Sequence, residues 1–298
     1  MKKKLFFLLI IISNSIFAQF EDELLERGRE ELFRGSAKIG ISILESLMKK
    51  YPKNSEAPYY LGLHYQGRYL LENNKQKLKL AEKYFLEAIN RKPFFKDAFL
   101  QLADCNIYTK NYKIAKKYLD EAIFIDSTDA KIYEGYGSIY ENTNDLDKAI
   151  SYYTKAVELE PNERIYSSLG SLYFKLHQYG KAIQNYEYEF RNDEHPLCGY
   201  ELAYSYLQIA DTIRAKDVLD FAIEKDFASV MLYNLIAEVC YVQTDYNLSI
   251  KYSMESLNKN PKQSEPYALL SKAYGKLGNI EKQNIYFRKA ELLKKGRR

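Results

Sequence analysis

The chain contains no tryptophan, three cysteines and seven prolines in 298 residues, and each shortage removes a class of protein. Three cysteines are odd in number and too few to staple a small disulfide scaffold. Seven prolines leave most of the length open to uninterrupted helices. No stretch alternates apolar and polar residues as a half-buried strand does. Catalytic and metal signatures are missing as well. His64, His177 and His195 stand far apart, and there is no His-x-x-x-His, Cys-x-x-Cys, phosphate loop or Gly-x-Ser-x-Gly. Carboxylate pairs such as Glu21/Asp22/Glu23 and Glu30/Glu31 sit on amphipathic stretches and read as solvated helix faces. No catalytic residue, cofactor or metal is therefore expected, and the chain does not read as an enzyme.

Long apolar runs are scarce too. The candidate at the start, Leu5 to Ile12, is eight residues long, where a bilayer span needs about 20. It follows Lys2-Lys3-Lys4 and precedes Ser13, Asn14, Ser15 and the small residue Ala18. A charged start, a short apolar core and a small cut-site residue form the order of a secretory signal. Residues 1–18 are accordingly expected to be removed on export to a periplasm, the cell envelope or the extracellular space, with no stable membrane insertion afterwards. Basic and acidic residues number 44 and 40. Losing the three lysines before Ala18 leaves 41 against 40, a balance with no general drive toward nucleic acid. Lys294, Lys295, Arg297 and Arg298 form a local basic tail, suited to the negative end of a terminal helix.

What the chain does have is a period. Ala81, Ala115, Ala149, Ala182 and Ala215 recur every 33 or 34 residues, and Ser249 and Gln283 continue the comb. A fixed period of this length is one supersecondary unit stacked repeatedly, which leaves little sequence for a separate catalytic domain. Tyr133-x-x-Tyr136-Gly137-x-x-Tyr140 leads to Ala149, Tyr153, Ala156 and Pro161. Tyr166-x-x-Leu169-Gly170-x-x-Tyr173 leads to Ala182 and Tyr186, and Leu61-Gly62-x-x-Tyr65 leads to Ala81, Phe85, Ala88 and Pro93.

This pattern resembles the tetratricopeptide repeat family. The resemblance covers nearly everything after the first 20 residues. It implies an all-α, right-handed α-solenoid of about eight helix-turn-helix units, a single superhelix over residues 19–298. The units start near Glu21, Ser55, Lys96, Ala130, Glu163, Pro196, Val230 and Ser264. Small residues are expected where the two helices of a pair approach, rings between successive pairs, and each proline where a second helix stops. Many of the 29 tyrosines fill ring slots where the family often places Trp. The pattern weakens in places. Arg27 and Glu31 replace apolar groups in the first unit, Glu189 stands at a small-residue position, and Leu219, Cys240 and Ser253 stand in for rings. In this register Cys198 and Cys240 fall about 12 Å apart along the axis, beyond the reach of a disulfide. With Cys105 three units earlier, all three are expected as buried small apolar groups.

The second unit carries seven extra residues within Gly67 to Leu80. Either Glu72-Asn73-Asn74-Lys75 protrudes as a loop or both helices grow by about a turn. The apolar Tyr69, Leu70, Leu71, Leu78 and Leu80, on both sides of Asn73-Asn74, favour longer helices.

The resemblance places a binding surface on the inner wall of the superhelix, lined by the first helix of each unit. Carried over residue by residue, that wall holds Tyr59 and Leu63, then Leu100 and Asp104, then Glu134, Ser138 and Glu141. It continues through Ser167, Ser171 and Phe174, then Tyr200, Tyr204 and Leu207, then Asn234, Glu238 and Tyr241, and ends at Lys272. The implied function is a non-enzymatic scaffold that holds a peptide or protein segment in the groove, across the fifth to seventh units, where rings alternate with hydrogen-bonding groups. Tyr200, Tyr204 and Tyr241 fit equally well as packing between neighbouring helices. The Lys/Asn/Arg clamp with which chaperone-binding members hold a C-terminal carboxylate is presented by none of the units. The alternative function is a structural subunit of a larger cell-envelope complex, joined through its ends or outer face, where Leu292 and Leu293 would contribute.

Overall fold

The computed structural model describes residues 19–192, 198–225 and 229–295. The expected signal at 1–18 lies outside the described residues, as do His195, Pro196, Arg297 and Arg298. Among the described residues every regular element is an α-helix, as the repeat implies.

The helices gather into two compact units, divided between Glu160 and Pro161. The N-terminal unit holds four hairpins: α1 (19–33) with α2 (Ala37–Lys50), α3 (Glu56–Glu72) with α4 (Lys75–Arg91), α5 (Lys96–Tyr108) with α6 (Tyr112–Ile125), and α7 (Ala130–Asn142) with α8 (Leu146–Leu159). The C-terminal unit holds four more: α9 (Glu163–Lys175) with α10 (Tyr179–Asn192), α11 (Gly199–Gln208) with α12 (Thr212–Glu224), α13 (Val230–Val242) with α14 (Tyr246–Lys259), and α15 (Ser264–Lys276) with α16 (Ile280–Lys295).

Local chemistry sets these boundaries. Helices α2, α4, α8 and α14 stop two residues before Pro52, Pro93, Pro161 and Pro261, because proline bars the preceding residue from helical dihedrals. Inside every hairpin but the first, the first helix closes on a residue in the left-handed region. Asn73, Lys110, Asn144, His177, Ala210 and Thr244 have φ between 50° and 65°, and Gly278 has 76°. In the later hairpins the next residue donates its N–H to a carbonyl five residues back, as in Asn111 to Asn106 (2.7 Å) and Asp245 to Cys240 (2.9 Å). That is a Schellman closure, which satisfies the free carbonyls of the helix end. Asp145, Asp211, Asp245 and Asn279 then cap the second helix by accepting from its third backbone N–H.

The comb marks the seam between paired helices. Ala81, Ala115, Ala149, Ala182, Ala215 and Ser249 are all fully buried, while Gln283 is only partly covered. Opposite the comb, rings sit on bare backbone: a Cβ at Gly62 would meet the Phe85 ring at 2.5 Å, and one at Gly137 or Gly170 would meet Tyr153 or Tyr186 at 2.6 Å. Where Ala103 and Ala203 replace glycine, the smaller Leu119 and Leu219 replace the ring within the same core clusters. The exchange conserves volume, so the weaker units remain well packed. Glu189 is buried at its small-residue position, beside Cys198, and burial followed by that carboxyl pushes the Cys198 thiol well up. Cys105, Cys198 and Cys240 are buried free thiols.

The extra residues of the second hairpin lengthen both helices. Helices α3 and α4 have 17 residues each, against 13 in α5 and 14 in α6, and only Asn73-Asn74 separates them. No protruding loop forms.

Candidate functional site

The positions carried over from the resemblance differ in freedom: Leu100 on α5 is buried in a core cluster, while others are partly or fully exposed. In the N-terminal unit, Tyr59 is spent largely on packing. Its ring lies 5.8 Å from Phe85 and 4.9 Å from Phe95, and burial pushes its phenol up to about 12. Leu63 packs on the cluster of Leu78, Ala81 and Phe85. Glu134 and Ser138 on α7 are half-buried, and the Ser138 carbonyl accepts the Asn142 side chain at 2.8 Å.

The C-terminal unit assembles more. Ser167 and Ser171 on α9 are half-buried, and Ser171 stands near the buried Tyr186. On α11, Tyr200 and Tyr204 stack at 6.1 Å, and Phe174 and Tyr179 meet Tyr204 edge-on at 5.6 and 6.2 Å. One side of these rings packs on the core cluster of Leu202, Tyr206 and Ile236; the remainder is open. Burial raises the Tyr200 phenol, with smaller contributions from Tyr204, Glu201 and Glu238, so Glu238 of α13 lies within electrostatic reach of the α11 ladder.

Beside Glu238 a cleft of about 510 Å³ opens, lined by Asn234, Glu238 and Tyr241 of α13, Leu269 and Lys272 of α15, and Lys294 of α16. Four positions from the sequence reading therefore meet in one cavity. Asn234 is held there from behind. Its Nδ2 donates to Gln263 Oε1 at 3.0 Å, and its Oδ1 accepts from Ser256 Oγ at 2.6 Å. Gln263 Nε2 in turn donates to Ser256 Oγ and to the carbonyls of Ser256 and Asn260. An amide carries two donors and two lone pairs, so Asn234 keeps one of each for a ligand while its orientation is fixed. The opposed charges of Glu238 and Lys272, both exposed, and the rings of Tyr241 and Tyr246, 5.5 Å apart, complete a wall able to hydrogen-bond a backbone and stack on side chains.

Sequence reasoning missed Gln263, Ser256 and Lys294. The available signal was the serine run on α14, where Ser249, Ser253 and Ser256 occupy slots that other units fill with alanine and a ring. Among the described residues no group of three or more His, Cys, Asp and Glu side chains is placed to hold a metal.

Comparison with known proteins agrees with this architecture. The sequence model of the tetratricopeptide repeat matches residues 130–163 and 264–296, the hairpins α7/α8 and α15/α16. The chain is similar to the solved structure of the pilF protein of Pseudomonas aeruginosa, at 20% identity over 71% of this chain and 94% of that one, with a TM-score of 0.59. It is similar also to YrrB, described as a TPR protein with an unusual peptide-binding site, at 19% identity over 59% and 91% and a TM-score of 0.55. MamA shares 22% identity over 56% and 92%, with a TM-score of 0.53. At such identities the likeness is one of fold. The BBSome complex member BBS4 of Bos taurus is 39% identical over 85 residues, 28% of this chain. The match spans 16% of the bovine protein's length.

Proposed function

We propose that this chain, built of tetratricopeptide repeats, is a scaffold that holds an extended peptide or protein segment along α11, α13 and α15 of its C-terminal unit. The observation that carries this reading is the cleft in which a pre-oriented Asn234 stands among Glu238, Tyr241 and Lys272. A wall already fixed by helix packing loses little entropy when a ligand docks, so a modest set of contacts suffices for useful affinity. The peptide-binding site named for YrrB, which is similar in fold, supports this reading.

Peptides selected from a displayed random library on the full chain test the reading. Tyr241→Ala with Lys272→Ala should weaken their binding by about 2 kcal/mol, the scale of interface hot spots. Selected peptides that bind this double variant as well as the parent would remove the cleft from consideration. A second reading, a subunit of a larger assembly, is favoured by the outer face of α16, where Phe287 and Leu292 are exposed around a shallow hollow of about 430 Å³. Loss of partner capture on Phe287→Ser with Leu292→Ser, and not on the cleft variant, would select it. Export belongs to the same proposal and rests on the order of residues 1–18. The intact mass of protein from an envelope fraction should lack Met1 to Ala18; a mass that retains them refutes cleavage.

A further inference from the structure

The lengthened α3 and α4 bring two adjacent leucines to the end of their hairpin. Leu70 is 59% exposed and Leu71 82% exposed, just before the left-handed Asn73. Burying neither side chain leaves apolar area in water without benefit to the fold. The Tyr69 ring lies 5.8 Å from Tyr108 at the end of α5, so the turn of the third hairpin adjoins this tip. There Tyr108 and Ile114 are exposed as well.

Charge around the tip is predominantly positive. Residues 66–80 carry four cations and one acid, and residues 107–117 carry four cations and no acid. The single acid, Glu72, is ion-paired with Arg68. Lys75, Lys79, Lys110 and Lys113 are exposed. The corresponding turn of the fourth hairpin differs: Glu141, Asp145 and Asp147 outnumber Lys148. The cationic character thus belongs to the second and third hairpins rather than to that whole edge.

We propose that this tip docks on an anionic lipid surface, with Leu70 and Leu71 entering the headgroup layer and the surrounding lysines facing the lipid charge. Leucines on a projection need a medium that accepts apolar groups without a shaped pocket, which the boundary between headgroups and acyl chains provides. Each lysine near such a surface adds attraction that decays within a Debye length. A nucleic acid would satisfy the lysines and leave the leucines in water. No helix among the described residues is long and apolar enough to cross a membrane, so the contact is peripheral. It involves neither the cleft nor its partner and stands apart from the peptide-holding reading.

Co-sedimentation of the full chain with vesicles tests the proposal. One set is an equal mixture of phosphatidylcholine and phosphatidylglycerol, the other phosphatidylcholine alone. The parent should bind the mixed vesicles and lose binding as salt rises. Lys75→Glu with Lys79→Glu should weaken partitioning about twentyfold or more, and Leu70→Ser with Leu71→Ser should weaken it severalfold. Phe124→Ser, at an equally exposed ring at the far end of α6, should leave it unchanged. Residues 1–18 are common to every variant, so differences between variants read the tip alone. All substituted side chains are exposed and the helical circular dichroism should be retained; if one pair misfolds, the other pair still decides. Equal binding by parent and both tip variants overturns the proposal. So does equal binding to both vesicle types, or absence of vesicle binding with tip-dependent capture of an acidic protein or nucleic acid instead.

Discussion

Thr244 holds a β-branched side chain at φ 65°, a conformation such residues rarely adopt. The reason lies in the turn, whose Schellman closure between α13 and α14 requires a left-handed residue whatever the side chain. Gly278 meets the same requirement in the last hairpin without steric cost. Thr244→Gly should therefore stabilise the protein by about 0.5–1 kcal/mol, the left-handed penalty less the added freedom of the unfolded chain. Urea denaturation reads the difference, and a stability equal to the parent or lower would show the strain to be absent. A second residue, Asn234, shows what sequence can and cannot locate. Its place on the first helix of its hairpin, α13, followed from its position in the repeat. Its fixed orientation did not, because Gln263 stands 29 residues further on and Ser256 is 22 away. Both partners meet it only after the hairpins pack.

At the scale of the helix pair, a recurring contact explains why tyrosine dominates. Tyr140, Tyr173, Tyr206 and Tyr274 on first helices lie under Lys148, Lys181, Arg214 and Lys282 on second helices, at 4.7–5.2 Å from cation to ring centroid. Each pair spans a turn and adds a cation–π attraction of about 0.5–1 kcal/mol at such exposed sites. Helix starts were legible because small residues and rings repeat with the period, and the added turns of α3 and α4 were legible in the leucines on both sides of Asn73-Asn74. The comb of left-handed turn residues was not, since Lys110, His177, Ala210 and Thr244 share no side-chain chemistry. The seam itself is open to test through Ala149, fully buried between α7 and α8. Ala149→Leu forces three more carbons into a closed contact and should cost about 1–3 kcal/mol. Hydrogen exchange should show the loss over Tyr133 to Pro161; unchanged protection there would place Ala149 outside the seam.

Over the whole molecule, the period runs on through residue 160 although the helices gather into two compact units divided there, so the boundary left no mark on the repeat. Tyrosine is what both units share. Of 29 tyrosines, several sit in the core with their hydroxyls held near acids: Tyr84 beside Glu45, Tyr136 beside Asp120, and Tyr206 beside Glu187. Burial first, and these carboxylates second, push the phenols of Tyr84 and Tyr206 up to about 12 and that of Tyr136 higher still. Tyr59 is likewise raised to about 12, chiefly by burial. A raised phenol keeps its proton in the folded chain after the unfolded chain has lost it. Its contribution to stability is therefore complete below about pH 10, the value in an unfolded chain, and is lost as pH climbs through the folded value. Lys96, whose pKa Asp126 and Asp129 hold up, acts in the same direction. An alkaline titration followed by tyrosinate absorbance and helical circular dichroism should separate two populations. The buried set should ionise only as the helical signal collapses toward pH 12 and above, after the first tyrosinate absorbance has appeared. Ionisation of all the tyrosines along one curve near pH 10, with helicity unchanged, would show that the rings are not buried in the seams as described.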